Sequence, residues 1–247
     1  MNLKFGIVGC FYGCSEYLPE VLKPWFKLKD ELNFEITAVN CLFSEYSALG
    51  AKNEDHATRE IISNHPFDYT FISPVPQIEQ AARNSVLSYL LYKQVDFVWI
   101  LDGDEFYTEQ EIRNIVSYVE KNKDKYWFSI NFKNYILDGK KWIDGFKPPR
   151  IFSNILPLKI DQFYLENDIV YAGNIDYKSL STLDIPKEEA HVKHMTWLNK
   201  NGKKKIEYQI KHYGGCSYKW NEEKQELEFD LDYHKKFNVP IPEIRED

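Results

Sequence analysis

The first half of the chain alternates between two hydrophobic rhythms. Short runs rich in branched and aromatic residues fall at Lys4–Cys10, Phe34–Val39, Tyr69–Ser73, Phe97–Leu101 and Tyr126–Leu137, and each reads as a strand. Between them the apolar positions follow helical spacing. A helix is expected over Glu16–Leu28, with Ser15 as its N-cap and Pro24 kinking or dividing it. Another is expected near Asp55–Asn64, with Ala57, Ile61 and Ile62 on one side, and a third over Gln77–Lys93, striped by Val86, Leu87, Leu90 and Leu91. A fourth follows Thr108-Glu-Gln-Glu111, a capping box, and carries Ile112, Ile115, Val116 and Val119 at i, i+3, i+4, i+7. Strands that alternate with helices predict an α/β fold: a mostly parallel, Rossmann-like central sheet with helices on both faces.

One strand organises the rest. Phe97-Val-Trp-Ile-Leu101 is apolar without a break, as in a strand buried on both faces, and it ends abruptly at Asp102, Asp104 and Glu105. In open α/β sheets the carboxyl ends of the strands are where ligands bind. Asp102 and Asp104 are one residue apart, so a single hard cation fits between them; an acidic turn that caps a helix is the plainer reading.

After residue 137 the pattern changes. Residues 138–200 hold short strand-like pieces, turns and prolines, expected to form a smaller, irregular α+β part facing the acceptor. Residues 201–247 are strongly charged and are expected to be a surface extension. Within this half, His191-Val-Lys-His194 places two histidines three apart, hence on opposite faces of a strand, and Lys203-Lys-Lys205 reads as a mobile basic loop.

Composition narrows the function. The 247 residues allow one large domain, or a domain with an appendage. A net charge of −7 disfavours a nucleic-acid partner. No apolar run is long enough to cross a bilayer, although peripheral membrane contact is compatible with the sequence; the opening strand does not read as a signal peptide. The four cysteines, Cys10, Cys14, Cys41 and Cys216, have neither zinc nor Cys-x-x-Cys spacing, which fits a reduced, cytoplasmic setting.

Leu101-Asp-Gly-Asp-Glu-Phe106, with Ala82-Arg-Asn84 on the preceding helix and Leu18-Pro-Glu-Val-Leu-Lys-Pro-Trp25 near the start, resembles the nucleotide-sugar glycosyltransferases of the GT-A fold. The likeness is greatest to the family 2-like group with an Asp-x-Asp-Glu-Phe metal motif. It covers residues 4–135 well and the remainder weakly. The resemblance implies residues 1–137 as the nucleotide-sugar-binding core, an inverting transfer of sugar from a UDP- or GDP-sugar to a glycan or lipid-linked acceptor, and Mn²⁺ or Mg²⁺ as cofactor. It implies metal contact by Asp104, with Asp102 nearer the ribose. His194 is the candidate third metal ligand, His191 being the alternative.

Gly9, Cys10, Phe11 and Tyr12 are expected to line the nucleotide pocket, Tyr12 or Phe11 stacking on the base. The family often has an acid at the end of the second strand to read uracil or ribose; here Asn40 stands there, which leaves the base open. Arg83 either adds positive charge near the diphosphate or holds the acidic loop, and Arg150 binds diphosphate or an anionic acceptor. Asp176, in Gly173-Asn-Ile-Asp-Tyr177, is the first candidate for the general base and Asp144 the second. A nucleotidyltransferase of similar fold and a non-catalytic binding protein are the competing readings. Against the former, Phe11–Glu16 has one glycine and no basic residue.

Overall fold

The structure is a computed structural model, and it describes residues 3–48, 50–52, 54–137, 139–154, 163–166, 169–172 and 182–246. In chain order the elements are β1 (Phe5–Cys10), α1 (Leu18–Leu28), β2 (Phe34–Asn40), α2 (Ser44–Ser47), α3 (His56–Ser63), β3 (Tyr69–Ile72), α4 (Glu79–Tyr92), β4 (Phe97–Asp102), β5 (Glu105–Phe106), α5 (Glu109–Lys121), β6 (Trp127–Ser129) and β7 (Asn131–Leu137). They continue with β8 (Lys141–Phe146), β9 (Pro149–Ser153), β10 (Phe163–Glu166), β11 (Ile169–Ala172), β12 (Thr182–Asp184), β13 (His191–Leu198), α6 (Asn199–Tyr213), β14 (Tyr218–Asn221), β15 (Glu226–Phe229), α7 (Leu231–Lys236) and β16 (Ile244–Glu246). The chain divides into two compact units, Met1–Asn131 with Lys147–Val192, and Phe132–Phe146 with Lys193–Asp247. The units interleave along the chain, a division that linear boundaries at residues 137 and 200 do not anticipate.

The first unit is a mixed α/β layer with a mostly parallel central sheet of order β12-β6-β9-β4-β1-β2-β3 and helices around it. β1 pairs in parallel with β2 on one side and β4 on the other, and β2 continues in parallel to β3. β9 lies antiparallel between β4 and β6. Two faces of β4 are buried against different partners, which is why its sequence shows no alternation. Val98 and Ile100 pack into a cluster with Val8, Val39 and the α4 residues Ala82, Val86, Leu87 and Leu90. Trp99 meets Trp25 of α1 edge-on at 4.7 Å and Tyr107 at 5.6 Å, while Phe97 stacks on Phe5. Each such side chain contributes roughly 1.5–3 kcal/mol on burial. Because the strand is filled from both sides, its position under the acidic turn is firmly set.

Several local expectations shift. α1 begins at Leu18 with Tyr17 as a cap that makes no side-chain hydrogen bond, so Ser15 does not cap it. The helix runs through Pro24 undivided, since Pro24 is on the buried face with Val21, Trp25 and Leu28, and that packing offsets the lost backbone bond. α3 turns Thr58 and Ile62 inward and leaves Ala57 exposed. The capping box before α5 forms as read: Glu111 N donates to Thr108 Oγ1 at 3.2 Å, and Thr108 N donates to Glu111 Oε2 at 2.9 Å. The single strand expected over Tyr126–Leu137 is two strands in two sheets, broken at Ile130, whose N–H donates to Pro148 O.

The second unit carries its own sheet portion, with β16, β8, β7 and β13 in order, and a β14–β15 hairpin. Ile136, Ile143, Ile206, Cys216, Tyr218 and Leu227 form its core. Residues after 200 are thus not a charged tail: α6 and the hairpin bury a thin apolar stripe beneath a charged exterior. Lys203 is on α6 rather than in a basic loop, and its Nζ meets Glu222 Oε1 at 2.6 Å.

Candidate functional site

The chain leaves β1 towards β2 and β3 on one side and returns to β4 on the other. That reversal opens a crevice at the carboxyl ends of β1 and β4, the ligand position in open α/β sheets. Cys10 and Asp102 are partners in register there.

Asp102 follows Val98 and Ile100 onto the α4 side of the sheet. There Arg83 Nη2 donates to its Oδ1 at 2.9 Å, while Arg83 also pairs with Glu79 one helical turn back at 2.6 Å. From β9, which places Ile151 opposite Trp99, Arg150 Nη2 donates to Asp102 Oδ2 at 3.1 Å. Arg150 also donates from Nε to Glu105 Oε1 at 2.8 Å. Tyr107 donates its hydroxyl to Glu105 Oε2 at 3.2 Å.

Both arginines are nearly enclosed, at 7% and 4% exposure, and Glu105 is fully enclosed. Burial alone would lower the Arg83 pKa, but Asp102 and Glu79 outweigh it and hold the guanidinium charged. Burial, then the Glu105 charge, pushes the Tyr107 hydroxyl well above its usual range, so it stays a donor. The Asp102 carboxylate is therefore held by two fixed cations and stays partly open to the crevice. Glu105, the third acid at the strand end, anchors Arg150.

Asp104 lies half-buried one residue beyond the turn glycine. A Cβ on Gly103 would meet Cys14 Sγ at 2.5 Å, so only glycine lets the loop after β1 close against the acidic turn. Burial pushes the Cys14 thiol up, and the charges of Asp55 and Asp104 raise it further. That thiol is a packing wedge, not a nucleophile.

The residues at the ends of β1 and β2 mostly form the wall behind the crevice. Gly9, Cys10, Phe11 and Asn40 are buried. The Phe11 ring folds back over Gly9, where a Cβ would lie 2.4 Å from it, and packs near Phe67. A ring so enclosed has no face for a base, whereas Tyr12 is half-exposed and donates its hydroxyl to Lys52 O. Asn40 Nδ2 donates to Phe11 O at 2.9 Å and to Asp55 Oδ2 at 3.0 Å, while its Oδ1 accepts from Arg59 Nε at 2.7 Å.

In the second unit, His194 is buried on β13 with Nδ1 2.7 Å from Asn134 Oδ1 and its ring against Phe132. Asp144 is on β8, 3.6 Å from Arg245 Nη1. His191, on the first unit's side of β13, donates its backbone N–H to Glu111. Asp176 lies outside the described residues. Sequence reasoning passed over Asp55, Glu79, Cys14 and Tyr107. Asp55 had a signal, as the first residue of an expected helix. The others carry none, because only the folded chain brings them to the acidic turn.

Among the described residues, no three His, Cys, Asp or Glu side chains converge to hold a metal ion by themselves. Of the turn's acids, Asp102 carries two arginines and Glu105 is enclosed, while Asp104 is half-buried. That donor set fits a hard cation shared with a ligand's phosphates, the usual manner of Mg²⁺, rather than an all-protein cage.

No family model matches the sequence, and no curated protein is significantly similar to it. Among solved structures, TarS residues 1–349 from S. aureus aligns with a TM-score of 0.50 at 14% identity, covering 78% of this chain and 60% of that one. A second TarS structure gives 0.48 at 12% identity, covering 78% of this chain and 37% of that one. A 4-diphosphocytidyl-2C-methyl-D-erythritol synthase from Anaerococcus prevotii gives 0.46 at 10% identity, covering 75% and 89%. The chain spans 36% to 60% of the TarS chains it matches. At these identities the likeness speaks for the fold, which is GT-A-like. No helix among the described residues is long and apolar enough to cross a membrane.

Proposed function

We propose that the protein is a metal-dependent glycosyltransferase that moves a sugar from a UDP- or GDP-sugar to a hydroxyl of a glycan or lipid-linked acceptor, with inversion. The observation that carries this reading is the acidic turn at the switch point, where Arg83 and Arg150 converge on Asp102 and the half-buried Asp104 follows one residue beyond Gly103. A nucleoside diphosphate leaves readily only if its developing charge is neutralised, and Mn²⁺ or Mg²⁺ would supply that as a Lewis acid. Asp104 would hold the ion together with the diphosphate. His194 is the candidate further ligand, its ring oriented by Asn134 through Nδ1.

The chain's own residues do the rest. Asp102, fixed by its two arginines, accepts from the donor's ribose without having to reorganise. Arg83 and Arg150 act through it and offset the negative charge gathered at the turn. The acceptor hydroxyl gives its proton to an aspartate of the later chain, Asp176 first and Asp144 second. Calorimetry with UDP, with and without Mn²⁺, tests the reading. The native chain is expected to bind UDP or GDP far better with the ion. Asp104→Ala is expected to abolish that dependence with little change in stability, since Asp104 is half-exposed. Equal, metal-independent binding by the native chain and Asp104→Ala would sink the assignment.

A further inference from the structure

The β2 side of the crevice has a carboxylate with unused capacity. Asp55 reaches in from the start of α3, where its Oδ2 accepts from Gly13 N at 2.7 Å and from Asn40 Nδ2 at 3.0 Å. Among the described residues its Oδ1 has one hydrogen bond, the long N-cap contact from Thr58 N at 3.4 Å. A carboxylate oxygen takes two good hydrogen bonds, so Oδ1 retains acceptor capacity in a half-buried position. Asn40 is differently placed: it has no exposed surface, and both arms of its amide are engaged by Phe11, Asp55 and Arg59. It pins the 11–14 loop to α3 and has no atom left to offer a ligand.

We propose that Asp55, held by Asn40, is the residue that reads the nucleobase, accepting the ring N–H of a base that carries one on its pairing edge. This rests on the nucleotide-binding reading above and deepens it. Asp55 and the Asp102–Asp104 turn flank the same short loop, which Cys14 wedges against Gly103. A nucleotide whose diphosphate lies at the turn therefore directs its base towards the Asp55 side, where Tyr12 presents a half-exposed ring. Uracil N3–H and guanine N1–H give that proton, whereas cytosine N3 and adenine N1 are bare acceptors that a carboxylate repels, leaving those bases only an exocyclic amino group to donate. The site selects the first pair and disfavours the second.

Calorimetry in Mn²⁺ with UDP, GDP, CDP and ADP tests this on the native chain and on Asp55→Asn, which keeps an oxygen for Gly13 and Asn40. The native chain is expected to prefer UDP or GDP over CDP and ADP by about tenfold or more, and Asp55→Asn to erase most of that preference. A ligand-side arm needs no variant: 3-methyluridine or 1-methylguanosine diphosphate, lacking the N–H, is expected to bind the native chain about tenfold more weakly than its parent. Asn40→Asp is expected to weaken all four, because it sets a carboxylate against Phe11 O and Asp55. If Asp55→Asn folds and keeps the native preference, or the methylated diphosphate binds as its parent does, Asp55 does not read the base while the proposed function stands. If no diphosphate binds the native chain, the proposed function itself falls, and this inference with it.

Discussion

Replacing Arg150 with Met isolates what the buried pair beneath the acidic turn does. The guanidinium donates to Glu105 at 2.8 Å and to Asp102 at 3.1 Å, and it is 4% exposed. Met keeps an unbranched stem but removes the guanidinium and its charge, so the fully buried Glu105 carboxylate loses the Arg150 cation. Breaking a buried pair from one side costs about 3–5 kcal/mol, because an uncompensated charge is left behind. A domain stable by roughly 5–15 kcal/mol feels that strongly. The expected fall in Tm is about 6–20 °C. Trp25 and Trp99 are both fully buried in the first unit, so urea denaturation followed by tryptophan fluorescence reports on the right part of the chain. Adding Glu105→Gln keeps an acceptor for the Tyr107 hydroxyl and removes the stranded charge. The double variant is expected to recover about 2 kcal/mol over Arg150→Met. A loss below about 1 kcal/mol in the single variant, or a double variant no better than the single, would refute the charge argument.

Two further outcomes can be checked independently. Gly103→Ala forces a methyl into Cys14 Sγ and is expected to cost about 1–3 kcal/mol and weaken nucleotide binding, with Cys14→Gly in the same chain restoring part of both; unchanged denaturation of Gly103→Ala would contradict the close approach. At the opposite end of the sheet, burial and the hydrogen bond to Glu35 push the Tyr89 hydroxyl up to about 12. Its folded pKa is above the unfolded value of about 10, so its contribution is complete below pH 10 and lost as pH rises through about 12. Absorbance titration of the phenolate, compared with Glu35→Gln, checks this: the variant is expected to titrate closer to 10, and an identical curve would remove Glu35 as a cause.

Much of the first unit is legible in the sequence because its signals are local. The capping box at Thr108 needs only residues three apart, and the heptad-like stripe of α5 needs only helical geometry. β4 announces itself because both of its faces are buried, which leaves no polar position to interrupt it. The second unit is less legible. Its core is assembled from β7 and β8 and from α6 and the β14–β15 hairpin, some sixty residues or more apart, each too short or too charged to show periodicity by itself. The split of Tyr126–Leu137 into β6 and β7 is likewise set by the partners each half finds, since β-pattern alone cannot say where one sheet ends and the next begins.

The site divides in the same way. Adjacent acids after a buried strand mark the place, because strand order and loop position follow from chain-local rules. What each side chain does there depends on distant groups: Arg150 is 48 residues from Asp102, and Asp55 is 42 from Gly13. In sequence Asn40 stands where the resemblance expects a residue that reads the base, and Glu105 is one of three acids that end the strand. The fold encloses both and spends them on holding Asp55 and Arg150. The α/β alternation, the switch-point strand and the acidic turn can be read from the linear chain, since these rest on short-range pattern. Which groups hold each carboxylate comes from the folded chain alone, because hydrogen-bond satisfaction in a buried network is settled by what packs against it, not by what precedes it in the chain.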